Sequence, residues 1–159
     1  MMLVEGFKKL PFFQDLTADQ SRILEGLFTP CDFVSGSVLF EQGDSADFLY
    51  LVVTGEVVIH YKPEDGAEIT VARVKGGGIV GWSAALGNAF YTSTAECVSY
   101  SQLLRVRGDE LRNLCIQYPE LSEIVLDRLA AVIAERLRKS HAQVMRLLRQ
   151  SLETNVRNC

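Results

Sequence analysis

The run from Gly36 to Ile59 constrains the fold of this chain more than any other segment. It reads GSVLFEQGDSADFLYLVVTGEVVI, with short apolar stretches separated by glycines. Three stretches are rich in β-prone residues and predict strands at 38–40, 48–53 and 56–61. Gly43 and Gly55 stand between them, where glycine permits the positive φ of a tight reversal. Closely spaced short strands with glycine corners predict a small antiparallel β-barrel or jelly roll.

The rest of the chain predicts helices on both sides of this barrel. Thr17-Ala18-Asp19-Gln20 has the pattern of a capping box, which predicts a helix start at Thr17. Further strands are expected at 69–74, 93–100 and 102–106, followed by helices at 108–118 and from Pro119 to about 152. We therefore expect one domain over 1–159, mainly β with flanking α. Its parts are a helical segment at 10–30 (after a short helix or arm at 3–10), a barrel at 31–107 and C-terminal helices at 108–152.

Composition excludes several classes of function. The formal net charge of −4 argues against a nucleic-acid surface that covers the whole protein. No apolar run approaches the roughly 20 residues that span a bilayer, so the sequence predicts a cytoplasmic protein without a membrane contact. The four cysteines have no metal-ligand spacing, and the two histidines, His60 and His141, are far apart. We therefore expect no catalytic residue and no metal site, against the alternatives of a cupin-like enzyme or a haem sensor.

The last predicted helix carries an apolar stripe along its length. A helix from Pro119 to about 152 would be roughly 50 Å long at 1.5 Å per residue, so it overhangs a small barrel. Apolar positions follow alternating four- and three-residue steps, with serines at 140 and 151, which is typical of a heptad seam. The predicted homodimer interface consists of Leu126, Ala130, Ile133, Leu137, Val144 and Leu147. The alternative is an amphipathic helix that packs only on its own domain.

Residues 75–95, KGGGIVGWSAALGNAFYTSTA, form the segment with the most distinctive chemistry, called here the cassette segment. Gly81 permits a close backbone approach, and residues 83–86 predict one helical turn whose free N–H groups favour an anion. Four residues in or shortly after this turn carry hydroxyl groups: Ser83, Tyr91, Thr92 and Ser93. Trp82 and Tyr91 either fill the cavity or stack on a planar ligand.

Two motifs in these segments resemble the cyclic nucleotide-binding domain superfamily. Residues 36–55 follow its pattern G-x-x-L-x-x-x-G-D…G, and the cassette segment resembles the family's phosphate-binding cassette, G-E-x-A-L…P-R. Gly81 and Ala84 match that cassette. Trp82 stands in place of its glutamate, which accepts from the ribose. Its arginine, which pairs with the phosphate, should fall at or beside Tyr91, and residues 90–93 (FYTS) contain no arginine. The resemblance implies a ligand site formed by Gly81, Trp82, Ser83, Ala84, Tyr91, Thr92 and Ser93, with Arg136 and Ser140 from the long helix.

The resemblance is strongest to catabolite-activator and FNR-like transcription regulators, and to stand-alone bacterial domains with altered cassettes. It implies a regulatory ligand-sensing domain that acts through its dimer helix. Without the glutamate and the arginine, cAMP or cGMP binding should be weak, and another small anionic or planar ligand stays open. The chain ends at Cys159, so we expect no helix-turn-helix DNA reader of its own. The alternative function is a ligand-free dimeric scaffold that docks a partner protein.

Overall fold

The computed structural model describes the backbone of residues 9–158 and the side chains of residues 9–139 and 141–153. The predicted arm at 3–10 and Cys159 therefore lie mostly or wholly outside the described residues. A short 3-10 turn, Pro11–Phe13, comes first. The strands are β1 (Thr29–Phe33), β2 (Val38–Phe40), β3 (Phe48–Thr54), β4 (Val57–Tyr61), β5 (Ile69–Val74), β6 (Ile79–Val80), β7 (Thr94–Cys97) and β8 (Ser101–Arg107). The helices are α1 (Ala18–Glu25), α2 (Trp82–Leu86), α3 (Gly108–Gln117) and α4 (Pro119–Asn158).

The strands of the described chain form two four-stranded antiparallel sheets, with strand orders β1-β8-β3-β6 and β2-β7-β4-β5. This arrangement confirms the predicted jelly roll with flanking helices. The glycine corners have the expected conformation, since Gly43 and Gly55 have φ values of +91° and +97°. Strands β2 and β5 have the predicted bounds.

Strand β3 separates two hydrophobic cores. Its side chains alternate between the two faces of the sheet. Tyr50 and Val52 point into the barrel between the sheets, whereas Leu49 and Leu51 pack against the helices. Because both faces are buried, the strand is almost continuously apolar instead of alternating with polar residues.

The helices cover the outer face of the β3 sheet. The capping box is confirmed, because the Thr17 hydroxyl accepts from the Gln20 N–H and the Gln20 side chain accepts from the Thr17 N–H. Helix α4 packs on the barrel through Leu121, Val125 and Leu129, which are all buried. No helix in the described part of the chain is long and apolar enough to cross a membrane.

Several predicted boundaries differ from the structure by one residue, and three differ by more. Strand β1 begins at Thr29, before the expected start of the barrel at 31, because residues 29–33 pair with β8. The strand expected at 93–100 ends at Cys97, since Val98 N–H bonds to Glu56 O and the chain then turns into β8. Helix α4 continues beyond 152 to Asn158, because no glycine or proline interrupts it.

Candidate functional site

The cassette segment is built around a close approach at Gly81. Gly81 has φ of +81° and is the N-terminal cap of the five-residue helix α2. A Cβ atom on this residue would lie 2.8 Å from the Phe48 carbonyl oxygen and 3.4 Å from a ring carbon of Tyr91. Both the backbone conformation and the lack of space therefore require glycine here.

Tyr91 fills the space beside Gly81. Its hydroxyl donates to the Phe48 carbonyl at 2.6 Å and accepts from the Phe48 N–H at 2.9 Å. Its ring stacks on Phe40 with the centroids 3.7 Å apart, and only 5% of the residue is exposed. Burial raises the pKa of Tyr91 to about 12, so its hydroxyl is neutral at physiological pH. Its hydrogen-bonding groups are already used within the chain.

The other predicted cassette residues have different environments. Ser83 and Ala84 are buried in α2, and the Ala84 carbonyl accepts from the guanidinium of Arg112. Thr92 is exposed and Ser93 is half-buried, directly after Tyr91. The structure thus brings Gly81 and Tyr91 together with α2, while Thr92 lies at the surface.

Helix α4 reaches this segment through Arg136. One guanidinium nitrogen, Nη2, donates to the Ile79 carbonyl at 2.6 Å, and the guanidinium carbon lies 4.3 Å from the centroid of the Trp82 ring. This geometry is a cation–π contact on the half-buried indole. Burial lowers the pKa of Arg136 to about 10, which leaves the group charged at neutral pH. Ser140 lies one turn further along α4, and its side chain is outside the described set.

The predicted dimer seam lies on the outer face of α4. Leu126, Leu137, Val144 and Leu147 are 57%, 63%, 54% and 57% exposed. Ala130 is exposed as well, and Ile133 is half-buried. A second apolar stripe of α4, formed by Val125, Leu129 and Val132, packs against the helix-side core of the β3 sheet. The apolar positions of α4 thus divide into one face that its own domain covers and one that it leaves open.

Sequence reasoning missed two side chains that shape the site. Phe40 lies 51 residues before Tyr91 along the chain, and only the pairing of β2 with β7 brings its ring beside the cassette segment. Arg112 bonds to α2 from helix α3, which no motif in the sequence indicated. For Phe40 the one available signal was its place at the end of a predicted strand.

Comparison of the sequence with known protein families agrees with this fold. The family description "cyclic nucleotide-binding domain" matches residues 30–118, more than half of the 159-residue chain. The chain belongs to the cyclic nucleotide-binding domain family. The match begins in β1 and ends just after α3, so it includes the whole cassette segment and excludes α4.

Relatives of known name include transcription regulators. The chain is 26% identical over 136 residues to a CRP-like cAMP-activated global transcriptional regulator of Mycobacterium tuberculosis, an alignment that covers 86% of this chain and 59% of the regulator. The crystal structure of the Thermus thermophilus catabolite activator protein is similar at a TM-score of 0.70 and 27% identity, over 86% of this chain and 62% of that one. The chain thus spans about six-tenths of the length of these regulators.

A cyclic nucleotide-binding domain from Methylobacillus flagellatus resembles this chain over a larger share of its length. Its TM-score is 0.78 at 24% identity, over 90% of this chain and 80% of that domain. At this level of identity the likeness concerns the fold alone.

Proposed function

We propose that this chain is a regulatory ligand-sensing domain that works as a homodimer through α4, in signalling or transcription-related control, and that does not use cAMP or cGMP as its ligand. Membership of the family and the similarity to cAMP-activated regulators support the regulatory class. The differences between the cassette segment and the family's phosphate-binding cassette support the exclusion of cyclic nucleotides as ligands.

The observation that carries the exclusion is the packing of Tyr91. In the family pattern an arginine occupies this position and pairs with the cyclic phosphate. Here the Tyr91 ring stacks on Phe40 beside Gly81, and its hydroxyl is bonded to the Phe48 backbone. A phosphate at this place would have to displace a buried aromatic pair, and the side chain at position 91 offers it no positive charge. Each missing charge-assisted contact is worth about 1.5–3 kcal/mol, so affinity should fall by orders of magnitude.

The contact of Arg136 supports a route from the barrel to the dimer helix. Its guanidinium joins α4 to the Ile79 carbonyl and to the Trp82 ring at the start of α2. A ligand that changes either contact would shift the position of α4 relative to the barrel. Ligand binding and the position of α4 are then coupled, because the ligand has a different affinity for each of two positions of the helix.

The exposed face of α4 supports the dimer. Its leucines at 126, 137 and 147 are each more than half exposed, and they follow the spacing of a helix–helix seam. Complete burial of one such side chain is worth about 1.5–3 kcal/mol. Pairing with a second copy would bury the whole stripe by a two-fold arrangement in which both protomers use the same surface.

Two measurements test the proposal. Sedimentation velocity of the purified chain at micromolar concentrations should give a dimer, and a monomer at those concentrations would count against it. Calorimetric titration with cAMP and with cGMP should give no saturable heat at micromolar ligand. Micromolar binding of either nucleotide would show that the cassette opens around Tyr91, and would overturn the exclusion.

The packed barrel interior favours a second candidate, a ligand-free dimeric scaffold that docks a partner protein. Phe40, Tyr50 and Tyr91 fill the interior beside the cassette segment, so this candidate requires no small molecule. The two candidates differ in one measurable respect. A sensor changes the hydrogen exchange of α4 when its ligand is added, whereas a scaffold changes it only when its protein partner is added.

A further inference from the structure

A groove outside the barrel runs between β5, the glycine loop at 76–78 and helix α4. Its volume is about 690 Å³, within the usual range for small-molecule sites. One wall is the outer edge of β5 and the loop that follows it, and the other is α4 from Val132 to Lys139. Valine side chains at 71, 74 and 132 supply apolar surface. Neither the cassette helix α2 nor Gly81 and Tyr91 line the groove, so it is distinct from the filled position beside Gly81.

The groove is strongly cationic. Four basic side chains line it (Arg73, Lys75, Arg136 and Lys139) against one acid, Glu135. Lys139 pairs with Glu135 at 3.5 Å, and both side chains are largely exposed. Arg73 pairs with Glu56 at 3.5 Å, with the arginine side chain 63% exposed and the glutamate 25%. Exposed pairs of this kind contribute little and exchange readily for other partners. Lys75 forms no ion pair within the described residues.

Arg136 is the one half-buried cation of the four that line the groove, and the other three are exposed. Its partners are a carbonyl oxygen and an aromatic ring. Across the described residues, no carboxylate forms an ion pair with it. A buried charge without a counter-ion is costly, and a bound anion would remove that cost. The family pattern has a glutamate at the place of Trp82, so the ring that Arg136 contacts stands where the pattern has an acid.

We infer that this groove binds a small phosphate-bearing organic anion through Lys75, Arg136 and Lys139, and that binding draws the Arg136 guanidinium away from the Trp82 ring. The apolar valines would contact the organic part of the ligand, and the cations its phosphate. This inference rests on the proposed function, since it names the ligand class and the site from which α4 would be moved.

Tryptophan fluorescence can report the release of the Trp82 ring by Arg136 when an anion binds. Trp82 is the single tryptophan of the chain, and the Arg136 guanidinium lies on its face. We would titrate the full chain with inorganic pyrophosphate in low salt and follow tryptophan fluorescence, with citrate as the carboxylate counterpart. The expected result is a saturable change with pyrophosphate, at least about tenfold weaker with citrate, and weakened by added salt because the groove is open to solvent.

Single variants locate the site. Lys75→Gln and Lys139→Gln should each weaken pyrophosphate binding by about tenfold, the value of one charge-assisted contact. Arg136→Gln should abolish the fluorescence change. Arg138→Gln is the matched control, because it removes the same charge from an exposed position of α4 outside the groove, and it should stay within about twofold of the wild type.

Three outcomes would overturn the inference. They are no saturable fluorescence change with pyrophosphate, an equal loss in Arg138→Gln, or a stronger response to citrate than to pyrophosphate. A fluorescence change on dilution alone would indicate that a carboxylate of the second copy occupies the groove, which also overturns it. The proposed function fails separately, through a monomer in sedimentation or through micromolar cAMP binding, so the two failures are distinguishable.

Discussion

Large, mainly apolar side chains are buried beside Gly81 in the cassette segment and exposed along the outer face of α4. In the cassette segment, Tyr91 is 5% exposed and its polar group is bonded to the chain's own backbone. On α4, Leu137 is 63% exposed and nothing in the described chain covers it. The comparison teaches that a position expected from a family pattern to bind a ligand can be filled by the chain's own side chains, while an apolar surface elsewhere is left uncovered.

The largest effect is expected from emptying the filled site. Tyr91→Ala removes a buried ring that Phe40 stacks on, so the free energy of unfolding should fall by about 3–5 kcal/mol, as for other buried aromatic-to-alanine changes. Urea denaturation measures it. The neighbouring Phe90 is 62% exposed, and Phe90→Ala should change stability by less than about 0.5 kcal/mol. Equal losses in the two variants would mean that Tyr91 is not a core residue.

The next effect concerns the open surface. The double variant Leu137→Ser/Leu147→Ser removes two seam leucines and should weaken the dimer by at least about 100-fold, because each buried leucine is worth about 1.5–3 kcal/mol. Sedimentation equilibrium measures it, and circular dichroism should show that the variant still folds. Ile116, 77% exposed and outside the seam, provides the control Ile116→Ser. A dimer unaffected by the double variant would refute the seam.

A pH dependence sharpens the description of the filled site. Burial raises the pKa of Tyr91 from 10.0 to about 12, so between these values the unfolded chain loses this proton before the folded protein does. Stability should therefore be intact below pH 10 and decrease by about 1.4 kcal/mol per pH unit above it, until the folded group ionises near pH 12.

The comparison for this pH effect is Tyr91→Phe, measured by urea denaturation from pH 8 to pH 11. The variant should be about 1–2 kcal/mol less stable than the wild type at pH 8, because the Phe48 carbonyl loses its hydroxyl donor. The difference should then shrink as the pH rises above 10. Parallel curves for the two proteins would show that Tyr91 does not titrate with a raised pKa.

The smallest expected effect tests which of two neighbouring leucines belongs to the dimer seam. Leu147 and Leu148 are neighbours with similar exposure, 57% and 52%, but only Leu147 has the heptad spacing. Leu147→Ser should weaken the dimer by about tenfold or more, and Leu148→Ser by less than about threefold. The same sedimentation experiment measures both. The reverse order would shift the seam by one residue around the helix.

The sequence predicted the local structure of this protein well. Strands β2 and β5 and the capping box at Thr17 match their predictions, because their signals lie within a few residues of each other. The glycine framework of residues 36–55 also identified the fold. The long helix was predictable as well, since after Pro119 neither glycine nor proline stops it.

The candidate site was only partly predictable. The family resemblance placed Gly81 and Tyr91 in one site, and in the structure a Cβ atom added to Gly81 would lie 3.4 Å from a ring carbon of Tyr91. Their third partner, Phe40, comes from another strand, and the pattern of residues 75–95 contains no information about it. The cations of the groove, Arg73 and Lys75 on one side and Lys139 on the other, were not recognised as a set for the same reason.

Local order in this protein follows from the sequence itself, through glycines that permit positive φ, β-prone runs and a helical pattern without interruption. Only the tertiary structure determined which individual side chains are buried and which are exposed. Tyr91 is buried because the pairing of β2 with β7 brings Phe40 beside it, and Leu137 is exposed because the barrel ends before α4 does. The physical reason is that burial depends on contacts between residues distant in the chain, whereas backbone conformation depends mainly on near neighbours.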